Sequence, residues 1–278
     1  MLADGGRAGQ AASDEGENQV SNDVDDGQGA TIAVEVVADA AEMGRRAAGI
    51  IAATVSARPE SVLAVPTGST PLPMFAEVIA RRERGEIDLS RVHLFCLDEY
   101  LGMPPERPNS LTGWLLDAFI EPAGIAPDRR HVVPATAPDP EAAAAAYEAE
   151  LAALGGLNLA VVGLGPNGHV AYNEPGTGGP DSRTRVIDLT PGSIAQAAGY
   201  WPGEDPVPAK AMTMGLGTLI GAGQVVLIVT GAAKADILFE TLHGPATDAV
   251  PASWLRLAGD RLLIIADRDA AARLPSQG

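Results

Sequence analysis

Leu157-Asn158-Leu159-Ala160-Val161-Val162-Gly163-Leu164-Gly165-Pro166-Asn167-Gly168-His169-Val170-Ala171-Tyr172-Asn173-Glu174-Pro175 is the stretch on which the reading of this chain turns. Its first six residues form an apolar run closed by glycine, the pattern of a strand buried on both faces. The glycines beyond it let the backbone turn sharply and approach a ligand closely. A histidine and a carboxylate are thereby delivered just past the C-terminal end of a buried strand, the edge at which open parallel sheets bind ligands. His169 and Glu174, five residues apart with Asn173 between, read as a proton-handling pair in which the carboxylate holds one imidazole tautomer and raises its basicity. A purely structural histidine is the competing reading.

Outward from that strand, apolar runs and helical stripes alternate. Ile32–Val37, Ser61–Val65, Val92–Leu97, His131–Val133, Ala211–Met214, Val225–Val229 and Leu262–Ala266 read as strands. Ala38–Ala57, Pro71–Arg84 with Thr70 as its cap, Ser110–Ile120, Asp139–Leu154, Leu216–Ile220 and Ala232–Leu242 read as helices. Strict alternation predicts a mostly parallel sheet with helices on both faces in one α/β domain over 31–278. Residues 1–30 are rich in Gly, Ala, Ser, Asn, Gln and acids. Such a segment cannot bury enough apolar area to offset its ordering entropy, so it reads as a disordered acidic tail.

The 278 residues carry a formal charge of −17, which argues against a nucleic-acid binder. A local basic pocket for a small anion remains compatible with that global sign. The single Cys96 permits no internal disulfide and no thiolate zinc site, and its apolar surroundings mark a buried structural thiol. No apolar run reaches the ~18 residues of a membrane span, and no secretory h-region follows the N-terminus, so the expected location is the cytoplasm.

Four further features suggest chemistry. The loop Pro66-Thr67-Gly68-Ser69-Thr70-Pro71 follows a strand and opens a helix, so its amides and hydroxyls suit an anion, although an ordinary capped turn has the same composition. It is no P-loop, because the Gly-Lys-Ser/Thr ending is missing. Asp98-Glu99 ends a strand, and adjacent strand residues face opposite sides, so one carboxylate can enter a cleft while the other turns away. Lys234 opens a helix against the dipole, which suggests an anion there; a solvated lysine is the alternative. Arg183 and Arg185 flank the central loop and could clamp a phosphate, pair with acids or serve a subunit contact. No serine sits in a G-x-S-x-G elbow and no histidine pair has zinc spacing.

Taken together, Leu97-Asp98-Glu99-Tyr100-Leu101-Gly102, the loop Gly163 to Pro175, Ser182-Arg183-Thr184-Arg185, the loop Pro66 to Pro71, Ala211-Met212-Thr213-Met214-Gly215 and Pro251-Ala252-Ser253 resemble the glucosamine-6-phosphate deaminase family over about residues 31–270. The resemblance implies a modified Rossmann-like three-layer α/β/α fold. It implies a monomer or homo-oligomer acting on an amino-sugar phosphate with no metal or organic cofactor, and no nucleic-acid or membrane partner. The implied reaction turns glucosamine 6-phosphate and water into fructose 6-phosphate and ammonia. By motif, His169 would assist ring opening, Glu174 and Asn167 would orient it, and Asp98 would move the proton from C2 to C1. Thr67, Gly68, Ser69, Thr70 and Lys234, with Arg183, would hold the phosphate.

One departure stands out. The family usually carries a phosphate-contacting arginine in an Asn-x-Arg-Phe-Phe-like stretch, and Gln196-Ala197-Ala198-Gly199-Tyr200-Trp201 puts Gly199 there. Glycine does not replace a bidentate fork, so another cation substitutes or the amino sugar differs. Ile187 stands where allosteric members tend to have lysine, which implies no strong activation by an N-acetylated sugar phosphate. The rivals are 6-phosphogluconolactonase, whose usual Gly-Asp-Glu-Arg and Ser-Leu-Phe-Pro motifs are absent, and a non-catalytic sugar-phosphate sensor.

Overall fold

The computed structural model describes residues 20–21, 24–25, 31–199, 201, 203 and 205–275. Most of the segment read as a disordered tail lies outside them. Within it, β1 (Val20–Ser21) and β2 (Val24–Asp25) pair antiparallel with β3 (Thr31–Val37). The chain continues through α1 (Ala40–Ala57), β4 (Val62–Val65), α2 (Leu72–Glu83), β5 (His93–Cys96), β6 (Asp98–Tyr100) and α3 (Leu111–Leu115). A π-helical turn, Leu116–Ile120, extends α3. Then come β7 (Arg130–His131), α4 (Pro140–Ala153), β8 (Leu159–Gly163), β9 (Arg185–Asp188) and α5 (Pro191–Ala198). The last third holds β10 (Lys210–Thr213), α6 (Leu216–Ile220), β11 (Gln224–Val229), α7 (Ala235–His243), the 3-10 segment Pro251–Arg261 and β12 (Leu262–Asp267).

The large sheet runs β3-β12-β11-β8-β4-β5-β7, all parallel, with β1 and β2 on the β3 edge. Its central strands are apolar throughout because helices cover both faces. From β4 the chain works outward to β5 and β7; from β8 it works the other way, to β11 and β12. The order therefore reverses between β4 and β8, and a crevice opens outside their carboxyl ends. Asp39 caps α1 by accepting from Glu42 N at 2.8 Å, and Asp139 caps α4 by accepting from Ala142 N at 3.0 Å. α2 differs from expectation: Pro71, not Thr70, is its N-cap, and no side-chain hydrogen bond closes it. Pro71 carries no N–H to satisfy and Leu72 N donates to Ser69 O at 3.3 Å, while Thr70 lines the crevice.

A second, antiparallel sheet, β6-β10-β9, was not foreseen. The run Val92 to Leu97 continues directly into it, and Thr213 sits opposite Asp98. α5 and the 251–261 segment were also missed, since their helical periodicity is short. Cys96 is 2% exposed, and burial pushes its thiol up to about 12, so it is an inert core group.

At the outer edge of the large sheet Arg129 Nη1 donates to His93 Nε2 at 2.8 Å, His93 Nδ1 meets His131 Nε2 at 2.9 Å, and His131 Nδ1 meets Glu150 Oε1 at 2.8 Å. Because the guanidinium can only donate, the row is satisfied when each imidazole is neutral with its proton on Nδ1. Burial, then the Arg129 charge, hold the His93 pKa below its ordinary value. In the window between that lowered value and the ordinary 6.5 the unfolded chain binds more protons, so stability should rise with pH there and fall on acidification. Urea titrations between pH 5 and pH 8 check this: His93→Gln should flatten the acid limb.

Candidate active site

The crevice between the ends of β4 and β8 is a cleft of about 660 Å³, within the roughly 300–1,000 Å³ typical of small-ligand sites. Four strand ends feed it: residues 66–71 after β4, Asp98 after β5, Gly163–Gly165 and His169 after β8, and Lys234 after β11. The loop Thr67, Gly68, Ser69, Thr70 lines it, and Gly68 has φ +94°, a conformation suited to glycine. Chain segments far apart in sequence thus meet over one rim of the sheet.

Asp98 and Glu99 separate as strand alternation requires. Asp98 lines the cleft although it is only 7% exposed. Burial, with the Glu99 charge next to it, pushes its carboxyl up to about 7. Glu99 turns inward. Its carboxylate accepts from Ser110 Oγ at 2.6 Å, Thr112 N at 2.9 Å and Leu111 N at 3.2 Å, across the start of α3, and from Tyr100 N at 2.8 Å. The inner carboxylate thus anchors a helix N-terminus, where amides and dipole favour a negative charge.

His169 lies over Gly165: a Cβ on that glycine would stand 2.2 Å from the imidazole Cδ2 and Nε2. The ring needs that missing side chain. Gly165→Ala should displace the imidazole and lower kcat/KM by about 10²-fold, measured by steady-state kinetics beside a circular-dichroism check of folding. His169 Nδ1 stands 3.5 Å from Glu174 Oε2, an ion-pair separation, and leaves Nε2 on the opposite ring edge. Glu174 is fully buried. Burial alone would raise its carboxyl, yet His169, Ser193 and Asn167 hold it down at about 2. Asn167 bridges the pair, with Nδ2 donating to Glu174 Oε2 at 2.7 Å and Oδ1 accepting from His169 N at 3.1 Å. Neither Asn167 nor Glu174 lines the cleft; both act through the imidazole.

Lys234 caps α7 after the turn at Gly231, and the Asp267 carboxylate fixes that turn by accepting from Gly231 N at 3.0 Å. Among the described residues lining the cleft it is the only lysine or arginine. Burial lowers its pKa, with no carboxylate raising it. A half-buried ammonium of this kind suits an anionic ligand.

Arg183 does not join this group. It is exposed and outside the residues that line this cleft. Its neighbour Arg185 is structural, donating to Asn173 Oδ1 at 3.0 Å and Thr177 O at 3.0 Å. Asn173 in turn donates to Val170 O at 2.9 Å and Met214 O at 2.8 Å, fastening the loop after β8 to the small sheet. Gly199 is the exposed C-cap of α5. Sequence reasoning missed Ser193, Gln196 and Trp201, which bring α5 and its exit to the cleft. Among the described residues no cluster of three or more metal-ligating side chains occurs, and no helix is long and apolar enough to cross a membrane.

Residues 35–264 match the family described as glucosamine-6-phosphate isomerases/6-phosphogluconolactonase. A glucosamine-6-phosphate deaminase of Halothermothrix orenii is 38% identical over 237 residues, covering 84% of this chain and 96% of that one. A solved structure described as a monomeric glucosamine-6-phosphate deaminase superposes with a TM-score of 0.82 at 33% identity, over 86% of this chain and 98% of that one. The 6-phosphogluconolactonase of Trypanosoma brucei shares the fold, with a TM-score of 0.70 at 20% identity over 87% of this chain and 98% of that one.

Proposed function

The chain belongs to the glucosamine-6-phosphate isomerase/6-phosphogluconolactonase family, and we infer that it is a glucosamine-6-phosphate deaminase, converting glucosamine 6-phosphate and water to fructose 6-phosphate and ammonia. The observation that carries this reading is Asp98, a buried carboxylate poised near neutrality in the same cleft as an imidazole backed by a buried carboxylate. A general base works best when its pKa lies near the operating pH. A carbon acid beside a carbonyl demands such a base.

The steps follow from these groups. His169, held by Glu174 and Asn167, takes the proton of the C1 hydroxyl and returns it to the ring oxygen, so that the pyranose opens to the aldehyde. Asp98 then removes the C2 proton; its electron pair forms the C1–C2 double bond as the carbonyl π pair moves onto O1, and O1 takes a proton from the C2 ammonium to give an enolamine. Delivery of that proton from Asp98 to C1 draws the nitrogen lone pair into a C2–N double bond, and water hydrolyses the resulting iminium to the ketone with release of ammonia as ammonium. The Thr67–Thr70 loop and Lys234 hold the phosphate, so binding energy remote from the reacting carbons fixes their position.

The test supplies purified protein with glucosamine 6-phosphate and measures ammonia and fructose 6-phosphate together, with free glucosamine and 6-phosphogluconolactone in parallel. Equimolar ammonia and ketose from the phosphorylated amino sugar are expected. Turnover of the lactone alone would overturn the assignment.

A further inference from the structure

Trp201 lines the cleft, yet its indole Nε1 is buried and has no hydrogen-bond partner among the described residues. An indole N–H is a donor only, and a buried one ordinarily meets an acceptor. Leaving it unmade in the working complex would forfeit the full desolvation cost of the group. The ring is nonetheless well held. It stands edge-on to Tyr100, with centroids 5.1 Å apart and planes at 83°. The Tyr100 and Tyr172 hydroxyls meet at 2.8 Å, and the Tyr172 ring stands 6.1 Å from that of His169. One aromatic wall therefore runs from the indole to the imidazole. Trp201 lies three residues past the end of α5, its backbone N–H donating to Ala198 O at 3.4 Å.

We propose that Trp201 is a substrate-binding residue whose indole N–H donates to an oxygen of the bound amino-sugar phosphate. The proposal rests on the function inferred above and deepens it. Three observations converge: a ring held against Tyr100, an orphan donor, and a place on the wall of the cleft that the inferred oxygen-rich ligand would occupy. The donor adds a neutral hydrogen bond in a cleft where a single lysine supplies the cationic contact.

Trp201→Phe keeps an aromatic ring against Tyr100 and deletes the N–H together with part of the ring. It should raise KM for glucosamine 6-phosphate about tenfold with kcat changed less than about twofold. An unchanged KM would overturn the proposal. A second readout needs no folded variant at this position. The protein has three tryptophans, so the Trp201 indole resonance of nitrogen-15-labelled wild type is assigned by elimination with Trp114→Phe and Trp254→Phe. It should move downfield on saturation with fructose 6-phosphate. Movement with inorganic phosphate alone places the acceptor on the phosphate; movement only with sugar-bearing ligands places it on a hydroxyl. A resonance unmoved by every ligand overturns the proposal. Wild-type turnover, measured separately, tests the function itself, so the two failures are distinguishable.

Discussion

Asp98→Asn should lower kcat for glucosamine 6-phosphate by at least about 10²–10⁴-fold, while fructose 6-phosphate still binds. It should also make the free protein more stable at pH 8. Both effects come from one fact: the carboxyl is buried, and burial with the adjacent Glu99 charge lifts it to about 7. As a base it must be ionised, so kcat/KM of the wild type should fall about tenfold per pH unit below that value. The stability effect runs the other way. The folded pKa lies above the ordinary 3.8, so between about 4 and 7 the native state binds the extra proton. The stabilisation is therefore complete at acid pH and lost as pH rises through 7, by on the order of 4 kcal/mol. Asparagine has nearly the same shape and never ionises, so the variant avoids the loss. Urea titrations of both proteins at pH 5 and pH 8 check this. Equal stability changes at the two pH values, or an active variant, would remove Asp98 from the role of base.

Lys234→Ala should raise KM for glucosamine 6-phosphate by roughly 10- to 100-fold, the scale of a lost hydrogen bond from a charged donor. The preference for phosphorylated over free glucosamine should fall by the same factor. The effect is expected to be large because no second lysine or arginine lines the cleft among the described residues; neutral loop donors cannot make up a full charge. Burial already lowers this lysine's pKa, and a bound phosphate opposes that shift. Phosphate affinity of the wild type should therefore decline as alkaline pH deprotonates the ammonium, and that dependence should vanish in the variant. Calorimetry with inorganic phosphate across pH 7–10 measures it. An unaltered KM would place the phosphate elsewhere in the cleft.

The activity and the position of Gly199 are compatible. Gly199 is exposed at the end of α5, while Trp201, two residues on, reaches the cleft. The same stretch that lacks a cation thus brings an uncommitted donor to the site. Arg183 and Arg185 make the complementary point. They are the same residue type two positions apart, yet Arg185 is committed to Asn173 and Thr177 and Arg183 faces water.

The sequence by itself determined what local chemistry determines. Apolar runs such as Leu159–Gly163 and Leu262–Asp267 declare buried strands, because a strand covered on both faces has no polar side to show. Glycines, prolines and caps mark where those strands turn, and His169, Glu174, Asp98 and Lys234 are visible because they follow such turns. The motif resemblance points to Asp98; the tertiary structure supplies the physical reason that its neighbour is spent on a helix, since Glu99 acquires its donors from α3 and from the chain just before it. It alone formed β6 with β10, bringing Thr213 opposite Asp98 from more than a hundred positions away. It alone put Trp201 beside Tyr100. Pairing across a sheet and burial of one polar atom are properties of neighbours in space, and no window of sequence contains those neighbours.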